Sequence, residues 1–246
     1  MRVCLLLANT PMRQYKTIEH HPQYGELHIT VNPRARRILL RAKDGVISIT
    51  LPPAAKREEL DHALAMYGEK LLRQCDENKP EKITPDYKIE TPGFTFALQP
   101  TERKEFYIRY NDTHTTLLYP AATQFDNDEM QEWLRRVRIT ALRTVAKRVL
   151  PARLKQLANR FGFSYSRVTL RDSHSCWGSC TNRRSISLSI YLQLLPPELS
   201  DYVLLHELCH TIELNHSDRF WALMDKVTNG KAKALREQLK KQKTDF

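Results

Sequence analysis

"LLHELCHTIELNH" (residues 204–216) sets three histidines and two glutamates into what is otherwise an apolar helical run. Titratable groups rarely sit among leucines of this kind unless they are satisfied or used. His206 and His210 are four apart, so on a helix their side chains leave the same face one turn apart. Glu207 falls about 100° round the helix, close enough to reach a water on a shared ion without ligating it. In that arrangement two imidazoles bind Zn²⁺ and the carboxylate acts as general base.

His216 strengthens the pattern and constrains the backbone. A helix running straight on would raise it about 9 Å above His210, too far to share an ion whose ligands lie about 2 Å away. The helix must stop between them, and Asn215 is expected to take the left-handed conformation that turns the chain back. The spacing equals that of the metzincins, whose pattern has glycine where this chain has Glu213, so the turn is expected later than theirs. Three histidines at ligand spacing outweigh the alternative of core histidines satisfied by carbonyls. Val203, Leu204, Leu205, Leu208 and Ile212 are expected to fix the helix in the core. Cys209 is read as a small core residue and Glu213 as a solvated helix residue. Cys176 and Cys180, with His174 nearby, hint at a second metal site but lack a further donor pair.

Composition narrows the setting. The chain has 246 residues, five cysteines without a regular spacing, and a net charge of +11. The odd cysteine count does not suggest a disulfide framework. The apolar run Val3–Ala8 is too short for the core of a signal peptide, and no apolar stretch is long enough to cross a bilayer. A soluble, reducing, cytoplasmic location with no membrane association is therefore expected. The positive charge suits an anionic partner, although solvated faces account for many basic proteins.

Residues 25–53 alternate polar and apolar residues in three short runs, with the hairpin dipeptide Asp44-Gly45 between two of them. A helix is expected at about 56–75, then a linker "ENKPEKITP", then strands near 87–98, 105–110 and 115–119. From Asp126 to about Phe161 the period is helical, and Pro151 is expected to split the run into two helices. Nine Lys or Arg and no acid lie between Trp133 and Arg160, a pattern that favours a solvated face over a binding surface. "SRVTLRD" and "SISLSIYL" are expected strands, and Pro196-Pro197 opens the helix carrying the histidines. No internal repeat is evident. The fold class is α+β, with a β-rich region over 1–125 that holds a basic hairpin and one helix, and a mostly helical domain over 126–246.

"CWGSC", "ISLSIYLQLLPPELSDYVLLHELCH" and "NHSDRFWALM" together resemble the YgjP-like metallopeptidases, relatives of the SprT-type zinc proteases. The specific match spans about residues 171–224, and "ARRILLRAKDGVISITLPP" with its helix is similar to the region that opens many members. The resemblance implies a zincin-like domain over 126–246, His206, His210 and His216 as zinc ligands, and Glu207 as catalytic carboxylate. Trp177, Gly178, Ser179 and Cys180 match a signature ahead of the active-site helix, for which a structural role is expected. Members often carry a basic residue where this chain has Cys176.

The expected activity is hydrolysis of peptide bonds by metal-activated water with Glu207 as general base, on a peptide or protein substrate. "SISLSIYL" (185–192) is the expected edge strand that pairs with extended substrate. His174, Tyr191, Tyr202 and Arg219 are candidates for a transition-state partner. Two alternatives stand beside this: a nucleic-acid-associated zinc protein that acts on DNA-bound proteins, and a zinc hydrolase of a non-peptide substrate. The basic hairpin with Arg34, Arg36, Arg37, Arg41 and Lys43, and the lysine-rich tail, would make the nucleic-acid contact. Substrate-binding residues and oligomeric state are not specified by the sequence.

Overall fold

Alternation at 25–51 places Leu27, Ile29, Ile47 and Ile49 on one face of a sheet, where all four are buried. The computed structural model describes residues 15–43, 45–77 and 81–242. The run Val3–Ala8, Asp44 of the hairpin dipeptide, residues 78–80 of the linker and the last four residues lie outside these. The chain divides into two compact units, Met1–Glu81 and Lys82–Phe246. Among the described residues no helix is long and apolar enough to cross a membrane.

The first unit holds strands β1 (Tyr15–His21), β2 (Gly25–Val31), β3 (Leu39–Lys43) and β4 (Val46–Leu51), in the order β1-β2-β4-β3, and helix α1 (Arg57–Glu77). Gly45 takes φ 78° at the tight connection between β3 and β4. Leu60, Leu64, Leu71 and Cys75 of α1 close the core against the apolar face of the sheet.

The second unit opens with β5 (Lys88–Thr91), β6 (Phe94–Thr101), β7 (Tyr107–Asn111) and β8 (His114–Pro120), in the order β5-β6-β8-β7, followed by helix α2 (Asp128–Phe161). This is the first unit's topology again. The register repeats as well: Leu39↔Thr50 through Lys43↔Val46 becomes Tyr107↔Leu118 through Asn111↔His114, each residue displaced by 68 from Leu39 to Tyr107. The parallel pair Leu27↔Ile47 likewise becomes Phe96↔Thr115. The structure therefore contains a repeat that is not evident in the sequence, because it conserves strand order and burial and few identities. Arg41 and Arg109, and Pro52 and Pro120, are among the matched pairs.

Phe94, Phe96, Leu117 and Tyr119 of the second sheet share one core with Leu134, Leu142, Leu150 and Leu204. Residues 88–120 thus pack with the helical part, whereas the sequence pattern grouped them with the N-terminal strands. Helix α2 is one helix of 34 residues with Pro151 inside it, not two. Leu142, Val145, Leu150, Leu154 and Leu157 bury both sides of the proline, and that packing outweighs the lost ladder bond. Asn127 caps the start, accepting from the Met130 amide, and Gly162 ends the helix at φ 74°.

After α2 come β9 (Arg167–Arg171), β10 (Gly178–Cys180), β11 (Ser185–Ser189), a 3₁₀ turn (Ile190–Leu194), α3 (Pro197–Cys209), α4 (Asp218–Val227) and α5 (Ala232–Lys240). The sheet order is β10-β11-β9, so β11 is the middle strand and not the expected edge. Its run of buried residues, Ile186 to Ser189, is that of a strand covered on both faces and paired on both sides.

Helix α1 offers a stability test. A Cβ at Gly68 would lie 2.5 Å from the buried Tyr24 ring. Gly68→Ala should therefore lower the urea midpoint, with overpacking of about 1–3 kcal/mol exceeding the roughly 1 kcal/mol gained in helix propensity. Combining it with Tyr24→Ala should make the alanine favourable, and a favourable Gly68→Ala alone would count against this contact.

Candidate active site

Pro197 opens α3 at a position where its missing N–H costs nothing, and the apolar residues behind it bury the helix. His206 and Glu207 lie in the last turn, and His210 is the C-terminal cap, still in right-handed conformation. The helix ends by tightening. Thr211 N–H donates to Leu208 O and Ile212 N–H to Cys209 O, and the Thr211 hydroxyl also donates to Leu208 O at 2.7 Å. Asn215 is not among the residues with positive φ. The expected left-handed turn there is absent, because the helix has already stopped five residues earlier. Ile212 is consequently 60% exposed and not part of the core.

His216 returns through the loop to α4. Ser217 caps α4 by accepting from Phe220 N–H, which fixes the residue just before it. Phe220 is fully buried, and its ring centroid lies 4.9, 4.5 and 4.8 Å from those of His206, His210 and His216. One phenyl ring thus supports all three imidazoles. Nothing in the histidine spacing pointed to it; its place three residues after Ser217, on the buried face of a capped helix, is the available signal.

The three Nε2 atoms converge. His206 Nε2 is 3.2 Å from His210 Nε2 and 3.1 Å from His216 Nε2. A single N–H cannot serve two such neighbours well, whereas nitrogens around one tetrahedral ion at about 2.0–2.1 Å stand roughly 3.3 Å apart. The cluster can hold a metal ion, and it is the one such group among the described residues. Burial first, then the neighbouring histidines and Arg236, lowers His206 to about 3, so its ring is neutral and free to ligate. His216 is lowered by burial, His210 and Arg236. His210 Nδ1 lies 3.0 Å from Glu213 O, which favours the tautomer that leaves Nε2 bare. His206 Nδ1 is buried with no hydrogen-bond partner among the described residues, and its ring packs against Phe220.

Glu207 is 4% exposed, and its Oε2 is buried with no hydrogen-bond partner among the described residues. Burial pushes the carboxyl up to about 8. A buried carboxylate oxygen of this kind, on the residue that follows a histidine of the converging set, is one that a polar reactant would satisfy. Gly178 of β10 forms the wall against it, since a Cβ there would lie 2.7 Å from Glu207 Oε1.

The family model for the YgjP-like metallopeptidase domain matches residues 36–242. The chain belongs to the YgjP-like family. It is also similar to the crystal structure of the metallopeptidase zymogen of Pyrococcus abyssi abylysin, at 24% identity over 37% of this chain and 91% of that one, with a TM-score of 0.34. No curated protein matches it. The YgjP-like domain is a metallopeptidase domain, and its family implies a divalent metal.

Other expected residues of this YgjP-like chain fall differently. Tyr191 is buried and bonded to Asp172 (2.9 Å) and His174 (2.7 Å), while Asp172 also pairs with Arg143. Tyr202 lies 6.1 Å, ring to ring, from His206. Arg219 is exposed and 3.6 Å from Glu213, which therefore belongs to the loop after the helix and not to its solvated face. Cys176 Sγ donates to Gly178 O, and Cys180 is pushed up to about 11 by burial and by Glu207; among the described residues neither belongs to a group of three or more metal donors. Cys209 is fully buried, as a small core residue is.

Gly178→Ala should drive the Glu207 carboxylate from its place while leaving the three imidazoles where they are. Peptidase turnover is expected to fall by about 100-fold, the cost of an ångström of misplacement. Metal content, measured on the same preparation, should stay at the wild-type value. Full activity in Gly178→Ala would show that the glycine does not set the carboxylate.

Proposed function

We propose that this chain is a zinc-dependent peptidase in which His206, His210 and His216 hold the ion and Glu207 is the general base. The observation that carries the reading is that the Nε2 atoms of His210 and His216 both lie within 3.2 Å of His206 Nε2, while the next residue, Glu207, keeps a buried Oε2 with no hydrogen-bond partner among the described residues. An all-imidazole donor set with a fourth position left for water suits zinc. Bound there, zinc would supply Lewis acidity, polarising the scissile carbonyl and making water nucleophilic near neutral pH.

The chain's own residues supply the rest. Glu207 Oε2 takes the proton from the attacking water and later delivers it to the leaving amine nitrogen. Burial raises its proton affinity, which suits a group that must hold a proton between two steps. Gly178 and the packing of α3 keep the carboxylate from turning away. The edge for an extended substrate is β10, the outer strand beside α3, whose second side pairs with no strand among the described residues and offers main-chain groups to a peptide.

Glu207→Gln should lower hydrolysis of a proteome-derived peptide library by about 100-fold or more, because it removes the base and no ligand. Elemental analysis should find about one zinc per chain in both proteins and much less in His216→Ala. Unchanged cleavage by Glu207→Gln would remove the base, and full zinc retention by His216→Ala would remove the site.

A further inference from the structure

The repeated strand unit makes each copy a control for the other. In the first copy α1 covers one face of the sheet, and the alternate residues point away from it. Cross-strand rows on that open face read Ile18–His28–Ser48–Arg41 and Lys16–Thr30–Thr50–Leu39. At its edge is β3, preceded by the loop 32–38, in which Asn32 accepts from the Arg34 and Ala35 amides to make a tight turn.

Arg34, Arg36, Arg37 and Arg41 are exposed on this loop and edge, and among the described residues none has an acidic partner. The matching loop of the second copy reads Glu102-Arg103-Lys104-Glu105 and carries no net charge. Its Arg103 lies 5.5 Å over the Tyr107 ring, and Arg109, the counterpart of Arg41, donates to Gln99 at 3.1 Å. The fold can therefore be built with this loop neutral and its strand arginine occupied. Guarding a sheet edge against pairing would account for Arg41 but not for three further arginines on the loop.

We propose that strand β3 and the loop before it bind the phosphate backbone of a double-helical nucleic acid through Arg34, Arg36, Arg37 and Arg41. Guanidinium groups suit phosphates in geometry and charge. The open face carries hydroxyls, Lys16, Ile18, His20 and the paired Glu26 and His28, but no Phe, Tyr or Trp, so it lacks the stacking platform that single strands require. The binding is thus blind to base sequence and set by counterion release. It does not depend on the peptidase reading.

The test is fluorescence anisotropy with the full chain and a labelled mixed-sequence DNA duplex of about 20 base pairs, between about 50 and 200 mM salt. Wild type should bind at the low-salt end and weaken steeply as salt rises. The variant Arg34→Gln/Arg36→Gln/Arg37→Gln should lose affinity, and its log–log salt slope should shrink by about 2.7, at roughly 0.9 per phosphate. Arg103→Gln/Lys104→Gln, in the matching loop, should keep the wild-type slope. A single strand of equal length should bind more weakly. No duplex binding at low salt, an unchanged slope in the triple variant, an equal loss in the control variant, or tighter binding of the single strand would each overturn the proposal.

Discussion

Three imidazole nitrogens must meet at one point, although the last of them lies six residues beyond the second. A continuing helix cannot do this, because each residue adds about 1.5 Å of rise. Early termination at His210 leaves a five-residue loop to bring the chain back. The tightened last turn and the Thr211 hydroxyl satisfy the freed carbonyls, while the Ser217 cap restarts helical structure immediately after the third histidine. Phe220 then supplies from the returning helix the apolar floor that the three rings share. Helix end, loop, cap and phenyl ring are consequences of one geometric demand.

The buried carboxylate imposes a second demand. A glutamate in the core is expensive when charged, and its proton affinity rises accordingly. It can be kept there only if its surroundings deny it a retreat to solvent. Gly178 does so by bringing the backbone of β10 to a distance no side chain would allow. The Trp-Gly-Ser-Cys signature therefore has a direct structural reason: its glycine sets how closely an edge strand approaches the carboxylate, and β11 behind it is pinned on both sides.

Much of this was legible locally. The histidine spacing, the strand alternation at 25–51 and the proline start of α3 each follow from one element's own periodicity, and the structure has those elements in place. What the sequence hid depends on partners. The middle position of β11 follows from pairing with β9 and β10, which no local pattern encodes. Pro151 breaks a local rule and is overridden by the leucines that bury the helix around it. Asn215 was a reasonable place for a left-handed residue, but the tightening of the last helical turn had made one unnecessary. Phe220 carries no chemistry of its own, and only the three-dimensional arrangement shows its use.

The duplicated strand units carry their helices differently. Both have the same strand order and register, yet their helices differ: α1 runs for 21 residues and α2 for 34. The shorter helix closes a separate core over its own sheet. The longer one extends past its sheet to pack on the 3₁₀ turn, β9 and α3, so the second copy's sheet and the histidine helix share one core. A copy tied into a catalytic core has its surfaces constrained by that packing, and its loop charges are balanced. The other copy's helix closes a core over its own sheet, and its loop carries arginines with no acidic partner among the described residues. Like charges placed so close repel one another, and the fold itself has no need of them. This contrast between the copies is the observation from which the proposed phosphate contact of β3 and its loop is argued.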